Sequence, residues 1–252
     1  MSAKIHFHFI TLFPETIRIW LTSSILGRAH EAGLFDFDLY QLRDFSQDKH
    51  RAVDDLAYGG GGGMVLRVEP LVAAVESILE RTQRDKSLII YFSPAGQPLN
   101  QPLIDNLTPS PNHAIRHLIL VCGHYEGVDQ RFIDHWTDLQ VSLGDFVLSG
   151  GELPAVALAD SLIRQLEGTL AHENASKKES FSLSDPTNQA PLLEYPHYTR
   201  PAEFRGHRVP DILLSGHHEK VSSWRLEQSR ERTRRIRPEL GARQRESDYV
   251  KI

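Results

Sequence analysis

Apolar positions along the chain follow two periods. Lys4–Phe13 alternates in the β manner, and Phe35–Tyr40 alternates again. Between them Pro14 opens a helix-like stretch that ends near Gly33. Leu71, Val72, Val75, Ile78 and Leu79 have helical spacing within Pro70–Arg81. Ser87–Phe92 and His117–Cys122 are short apolar runs of the kind buried in parallel sheets, and Asp138–Leu143 reads as a further strand. Leu153–Leu166 reads as a helix with a proline near its start. Strands alternating with helices predict an α/β layer fold with a mainly parallel sheet. After Gly168 the pattern is lost: Thr169–Pro191 is polar, and a basic helix follows from about His217 to Arg235. The expected organisation is an α/β domain over 1–167, a flexible linker over 168–191 and a small helical domain over 192–252.

At 252 residues, 24% charged and 40% hydrophobic, the chain has the composition of a globular protein. One cysteine, Cys122, excludes an internal disulfide framework and favours a reducing, cytosolic setting. No apolar run approaches membrane-spanning length, so no membrane partner is expected. The net charge of −5 hides an asymmetry. Residues 200–252 carry 13 Lys and Arg against 8 Asp and Glu, whereas the preceding 199 carry 15 against 25. A basic tail on an acidic body suits contacts with phosphate backbones, although a solvated helix face gives the same count.

Three glycine-bearing loops follow predicted strands: Ser93–Gly96, Cys122–Gly127 and Ser142–Pro154. In open α/β sheets ligands sit at the carboxyl ends of strands, so the three could converge on one pocket. Neither G-x-G-x-x-G nor G-x-x-x-x-G-K-[ST] occurs, and Met64 follows the run Gly59–Gly63, which disfavours a dinucleotide fold or a phosphate loop. No metal site is expected, because Cys122 stands alone and His217 and His218 are adjacent rather than one helical turn apart.

Five segments carry a resemblance: Asp54–Met64, CGHYEGVDQR (122–131), SLGDFVLSGGELPA (142–155), LLEYPHYTRP (192–201) and VPDILLSGHH followed by Trp224-Arg225 (209–225). Together, and in this order, they resemble the bacterial tRNA (guanine-N1)-methyltransferases, a family of the trefoil-knotted class. The resemblance runs from about residue 4 to about residue 240. It implies a deep knot in the α/β domain, S-adenosylmethionine as methyl donor and an obligate homodimer with a composite active site. The implied substrate is the guanine at position 37, just 3′ of the anticodon, in tRNA, with magnesium as an accompanying ion. By position, the implied cofactor pocket comprises Tyr91, Phe92, Ser93, Pro94, Gly96, Gly123, Tyr125, Glu126, Gly127, Ser142, Leu143, Gly144, Asp145, Phe146, Leu148, Gly150, Gly151 and Pro154.

Methylation at guanine N1 requires loss of its proton while negative charge develops toward O6, so the site needs a carboxylate and a cation. The family places an arginine after the third loop, here Arg164, and an aspartate before Ser-Phe in the linker. This chain has Glu179 there, one methylene longer, and Asp185 lies nearby as an alternative base. Asp54, Tyr58 and Ser180 resemble positions near the target base, and Arg230, Arg232, Arg234 and Arg235 are placed to meet the tRNA backbone. Two departures stand out. Ser182–Pro191 is longer than the family's link, and Ala57 and Gly62 replace prolines, which loosens that loop. Two other readings remain: a knotted methyltransferase acting on rRNA or a ribose 2′-hydroxyl, and a non-catalytic RNA-binding or assembly protein on the same scaffold.

Overall fold

The computed structural model describes residues 4–109, 114–171, 176 and 179–242. Part of the expected linker (172–175 and 177–178) and the end of the basic segment (243–252) lie outside the described residues. The chain divides into two compact units after Ala171, whereas the expected boundary is at 167.

In the first unit, β1 (Ile5–Thr11) pairs in parallel with β2 (Phe35–Gln41) across a double helical crossover. The stretch expected as one helix is two, α1 (Pro14–Leu21) and α2 (Ser24–Glu31). Ser24 at φ 53° turns the chain between them, and Gly27 sits so tightly that a Cβ would lie 2.3 Å from the Thr22 carbonyl oxygen. A hairpin that periodicity does not predict follows, β3 (Asp54–Leu56) against β4 (Met64–Leu66), with the glycine run as its turn. Next come α3 (Val68–Leu79), β5 (Ser87–Pro98), α4 (Gln101–Leu107), β6 (His117–Val121), α5 (Gln130–Trp136), β7 (Leu139–Ser142) and α6 (Glu152–Ile163).

The main sheet has order β2-β1-β6-β5-β7 and every pair in it is parallel, as the continuous apolar runs predict. One core joins Phe7, Phe9 and Phe35 to Ile17 and Leu21 of α1, Leu103 of α4 and Leu158 and Leu162 of α6. The other face joins Ile10, Ile89, Ile119 and Val121 to Leu71, Val75 and Ile78 of α3 and Phe132 of α5. Each such side chain contributes about 1.5–3 kcal/mol by leaving water. Helices thus cover both faces, and the carboxyl ends of the strands are left as the place for loops.

In the second unit, β8 (Glu203–Phe204) and β9 (His207–Arg208) form a short hairpin, followed by α7 (Asp211–Leu214), α8 (His218–Ile236) and α9 (Glu239–Ala242). α8 matches the expected basic helix to within one residue. The later half of the expected linker is a hydrogen-bonded loop. The Phe181 amide donates to the Leu192 carbonyl at 2.9 Å, Leu192 to Leu183 at 2.8 Å and Asp185 to Ala190 at 2.9 Å. Thr233 on α8 accepts from the Leu193 amide at 2.9 Å while donating to the Ser229 carbonyl at 2.7 Å, which anchors the loop's end.

Candidate active site

The first glycine-bearing turn does not follow its strand, as periodicity suggests, but interrupts it. Phe92 and Gln97 both face Val141 of β7, so residues 93–96 leave the ladder and the strand resumes to Pro98. Ser93 and Gly96 are half-buried, while Pro94 and Ala95 are exposed. A Cβ on Gly96 would lie 2.5 Å from the Val141 nitrogen, so no other residue fits without moving backbone.

The second turn leaves β6 at Cys122. Tyr125 adopts φ 60° and Gly127 φ 125°, a reversal that directs the chain back along the hairpin. There the Glu126 amide donates to the Met64 carbonyl at 3.0 Å, and the Leu66 amide to the Gly127 carbonyl at 2.9 Å. A Cβ on Gly63 would meet Glu126 Cγ at 2.6 Å. The hairpin carrying Asp54 and Tyr58 is therefore brought against the second turn, with the Tyr58 side chain fully exposed beside the glycine run and Asp54 half-buried in β3. Tyr91 lies beneath this turn: a Cβ on Gly123 would be 2.8 Å from its ring. Burial pushes the Tyr91 hydroxyl above its ordinary range, partly countered by a hydrogen bond from the Val128 backbone.

The third turn runs from β7 into α6 and closes on the second. The Gly151 amide donates to the Gly123 carbonyl at 2.9 Å, and His124 and Gly150 form an antiparallel bridge. A Cβ on Gly151 would lie 2.7 Å from Cys122 Cα. Within the turn, Ser142 donates from Oγ to the Gly144 carbonyl at 3.0 Å, and Phe146 folds over Gly144. Leu143 and Leu148 are half-buried, Asp145 and Phe146 exposed, and Pro154 buried in the first turn of α6. All the expected cofactor positions thus lie on three turns, the second and third hydrogen-bonded to each other, and on the strand ends that feed them.

Sequence reasoning missed what locks the turns. Glu152, 7% exposed, accepts from Thr11 Oγ1 at 2.6 Å and from His124 Nε2 at 2.7 Å. Phe13 packs edge-on against the His124 ring, with centroids 5.1 Å apart. A buried carboxylate is tolerated only when its lone pairs are filled, and here both partners belong to other segments, β1 and the second turn. A glutamate opening an otherwise apolar helix, directly after Gly-Gly, was the available signal. Cys122 is buried beside this carboxylate, and burial pushes its thiol well above the ordinary range, so it stays protonated and unreactive.

Arg164 caps α6 at its carboxyl end, its amide donating to the Asp160 carbonyl at 3.0 Å. In the second unit Glu179 is half-buried, its carbonyl accepting from Leu183, and Ser180 Oγ accepts from the Glu194 amide at 3.0 Å. Asp185 is engaged otherwise. Arg230 donates to both its oxygens at 2.7 Å, and hydrogen bonds from Arg230 and the Thr187 amide hold its carboxyl down at about 2. Arg230 also reaches Thr187 at 3.0 Å, so its guanidinium serves the 182–191 loop. Arg234 is exposed one turn further along α8, and both arginines line a cavity of about 760 Å³ with Leu226, Glu227 and Glu231. A second concavity, about 420 Å³, lies among Tyr195, His197, Tyr198, Arg200 and Arg225, where the Arg225 guanidinium sits 4.7 Å from the Tyr195 ring centre. Paired aromatics and arginines of this kind suit stacking on bases, and the YPHYTR segment supplies most of them.

Comparison with known proteins gives a consistent result. The family model for tRNA (Guanine-1)-methyltransferase TrmD matches residues 5–243. A tRNA (guanine-N(1)-)-methyltransferase of Brevibacillus brevis is 49% identical over 230 residues, 91% of this chain and 88% of that protein. One from Synechococcus elongatus is 47% identical over 234 residues, 93% of each. The crystal structure of tRNA (m1G37) methyltransferase from Aquifex aeolicus superimposes with a TM-score of 0.73 at 34% identity, covering 93% of this chain and 94% of that one.

Proposed function

Because this chain belongs to the tRNA (guanine-1)-methyltransferase family and is a methyltransferase, we propose that it transfers a methyl group from S-adenosylmethionine to N1 of guanine 37 in tRNA. The observation that carries this reading is the closure of the third turn on the second, through Gly151 on Gly123, with the first turn leaving β5 where Gly96 packs on Val141 of β7. Such turns suit an adenosine ligand, because amides and carbonyls at strand ends can read a purine edge, with half-buried Leu148 as an apolar neighbour.

S-adenosylmethionine supplies a methyl group on a cationic sulfur, and the remaining requirements fall on the protein. Glu179 accepts the N1 proton, which frees the ring lone pair to form the N–CH3 bond as the sulfur–methyl bond breaks and its electron pair returns to sulfur. Arg164 balances the charge that builds on O6. Asp185 is unsuited to be the base: a carboxyl held near 2 by an arginine is a weak proton acceptor. Glu179 therefore takes that role, its longer side chain replacing the family's aspartate. Asp54, Tyr58 and Ser180 would border the target guanine, and Arg234, with the Tyr195–Arg225 concavity, would hold tRNA outside it. Arg230, lining the same cavity as Arg234, joins the tRNA surface through whatever reach its pair with Asp185 leaves.

A trefoil-knotted backbone, a homodimer with a composite site and a cytosolic setting belong to the same reading. Magnesium would come with the tRNA, since that ion is usually held by one or two carboxylates together with substrate phosphates and water. Labelled methyl transfer to unmodified tRNA, with guanine or another base at position 37, tests the proposal. Transfer only to the guanine form, with 1-methylguanosine as the product, is expected. Methyl on a ribose, on rRNA or nowhere would overturn it.

A further inference from the structure

At the end of the sheet opposite the three turns, three imidazoles from two adjacent strands converge. Alternation puts His6 and His8 on one face of β1, and the register sets His6 beside His117 of β6 and His8 beside Asp38 of β2. His8 is 3% exposed. Its Nε2 lies 3.1 Å from Nδ1 of His117, and its Nδ1 lies 3.3 Å from the Tyr40 hydroxyl and 3.7 Å from Asp38 Oδ2. His6 stacks on His8 with ring centres 4.2 Å apart, and its Nε2 is 2.8 Å from the same Asp38 oxygen. One ligating nitrogen from each ring lies within 4.8 Å of the other two.

We propose that His6, His8 and His117 bind a divalent transition metal of the zinc class, with Asp38 orienting the rings. Three neutral imidazoles are a donor set for zinc, cobalt or nickel and a poor one for magnesium or calcium. Tetrahedral zinc at about 2.0–2.1 Å from each nitrogen needs nitrogens roughly 3.4 Å apart. The His8–His117 pair is 0.3 Å short of that, and His6 must tilt out of its stack. Its side chain is 29% exposed, which gives it room to move and gives the ion a way in. Asp38 faces His6 Nε2 and His8 Nδ1, leaving His6 Nδ1 and His8 Nε2 for the metal, the arrangement in which a carboxylate fixes ligating histidines. Water completes the set. The ion would join β1 to β6, whose histidines are more than a hundred residues apart in the chain.

This departs from the expectation of no metal site. Spacing tests tuned to helices and cysteine pairs pass over His-x-His on a strand, and His117 joins it only through sheet order. The 252-residue chain, stripped with a chelator and titrated with cobalt(II), tests the proposal. One equivalent should bind, with the intense visible bands of a tetrahedral ion, and zinc should displace it. His6→Gln and His117→Gln should each weaken binding more than about 100-fold, and Asp38→Asn by about 10–100-fold. Calorimetry with S-adenosylmethionine on the same variants should be unchanged, because the cofactor turns lie at the other end of the strands, and this shows that the variants fold. Absence of stoichiometric cobalt binding, or binding unaltered in the His6→Gln, His117→Gln double variant, would overturn it.

Discussion

The three turns of the first unit and the 179–192 loop of the second are both irregular backbone, yet they hold their shapes by different means. In the turns, backbone meets backbone: Gly96 on Val141, Gly151 on Cys122, with Glu152 buried beneath as a clamp. A side chain at Gly96 would displace β7, and one at Gly151 would displace the backbone leaving β6. The loop that carries Glu179 is held instead by a few amide–carbonyl bonds and by one charged pair, Asp185 with Arg230. A binding cradle gains from rigidity, because ordering is complete before the ligand arrives. A segment that brings a base to a large substrate gains from remaining adjustable. The difference teaches that a glycine in the turns and a charge in the loop are the respective points of failure.

The largest effect should come from breaking the cradle. Gly151→Ala and Gly96→Ala each place a methyl group against main chain at 2.5–2.7 Å, which costs about 1–3 kcal/mol or more where backbone must shift. Calorimetry should find no S-adenosylmethionine binding at concentrations that saturate the native chain, with circular dichroism confirming the fold. If either variant binds normally, the turns are more pliable than their contacts imply and the contrast with the loop fails.

Next in size are the chemical groups. Glu179→Gln should lower single-turnover methyl transfer by about 10²–10⁴ while cofactor affinity is retained, the range for loss of a general base. Arg164→Ala should lower it by roughly 10²–10³, as when one charge-stabilising donor is removed. Turnover near the native rate in either variant would remove that residue from the mechanism. Asp185→Asn should leave the chemical step nearly intact and so separate the two carboxylates of the loop.

What the sequence reveals follows from how local each feature is. Strands β1, β2 and β6 and helices α3 and α8 are legible because their own apolar or charged periods specify them. The hairpin 54–66 is not, because its strands span three residues each and only the glycine turn and the neighbouring Gly127 fix their pairing. β5 is read short because Pro94 and Gly96 look like an ending, whereas pairing with β7 resumes beyond them. The glycine turns are visible from composition and strand order. The Thr11–Glu152 bond joins residues 141 apart, so no window on the chain displays it. The role of Glu179 rests on family resemblance, since as one of several carboxylates in a polar stretch it carries no local mark.

A smaller effect probes the loop's charged pair. The Asp185 carboxyl titrates near 2 in the folded chain, below its ordinary value of 3.8. A depressed value means the folded state holds the charged form better. The stabilisation is therefore complete above about pH 4 and lost as pH falls toward 2. Asp185→Asn should lower the melting temperature of the second unit by a few degrees at neutral pH, and the gap from the native chain should close as the pH drops below 4. A gap constant with pH would mean that the pair contributes by packing alone.

The smallest effect concerns the surface arginines. Arg234 is exposed, whereas Arg230 is committed to Asp185 and Thr187. An arginine that neutralises one phosphate adds about one to the slope of log affinity against log salt. Filter binding of tRNA across a salt series should then show the slope of Arg234→Ala reduced by about one. Arg230→Ala should alter it less and should reproduce the pH-dependent melting of Asp185→Asn. Equal slopes for both variants and the native chain would remove α8 from the tRNA surface. A larger change with Arg230 would mean that the ion pair opens when RNA binds, so that the loop and the backbone contact share one arginine and the second unit is adjustable in a way the turns are not.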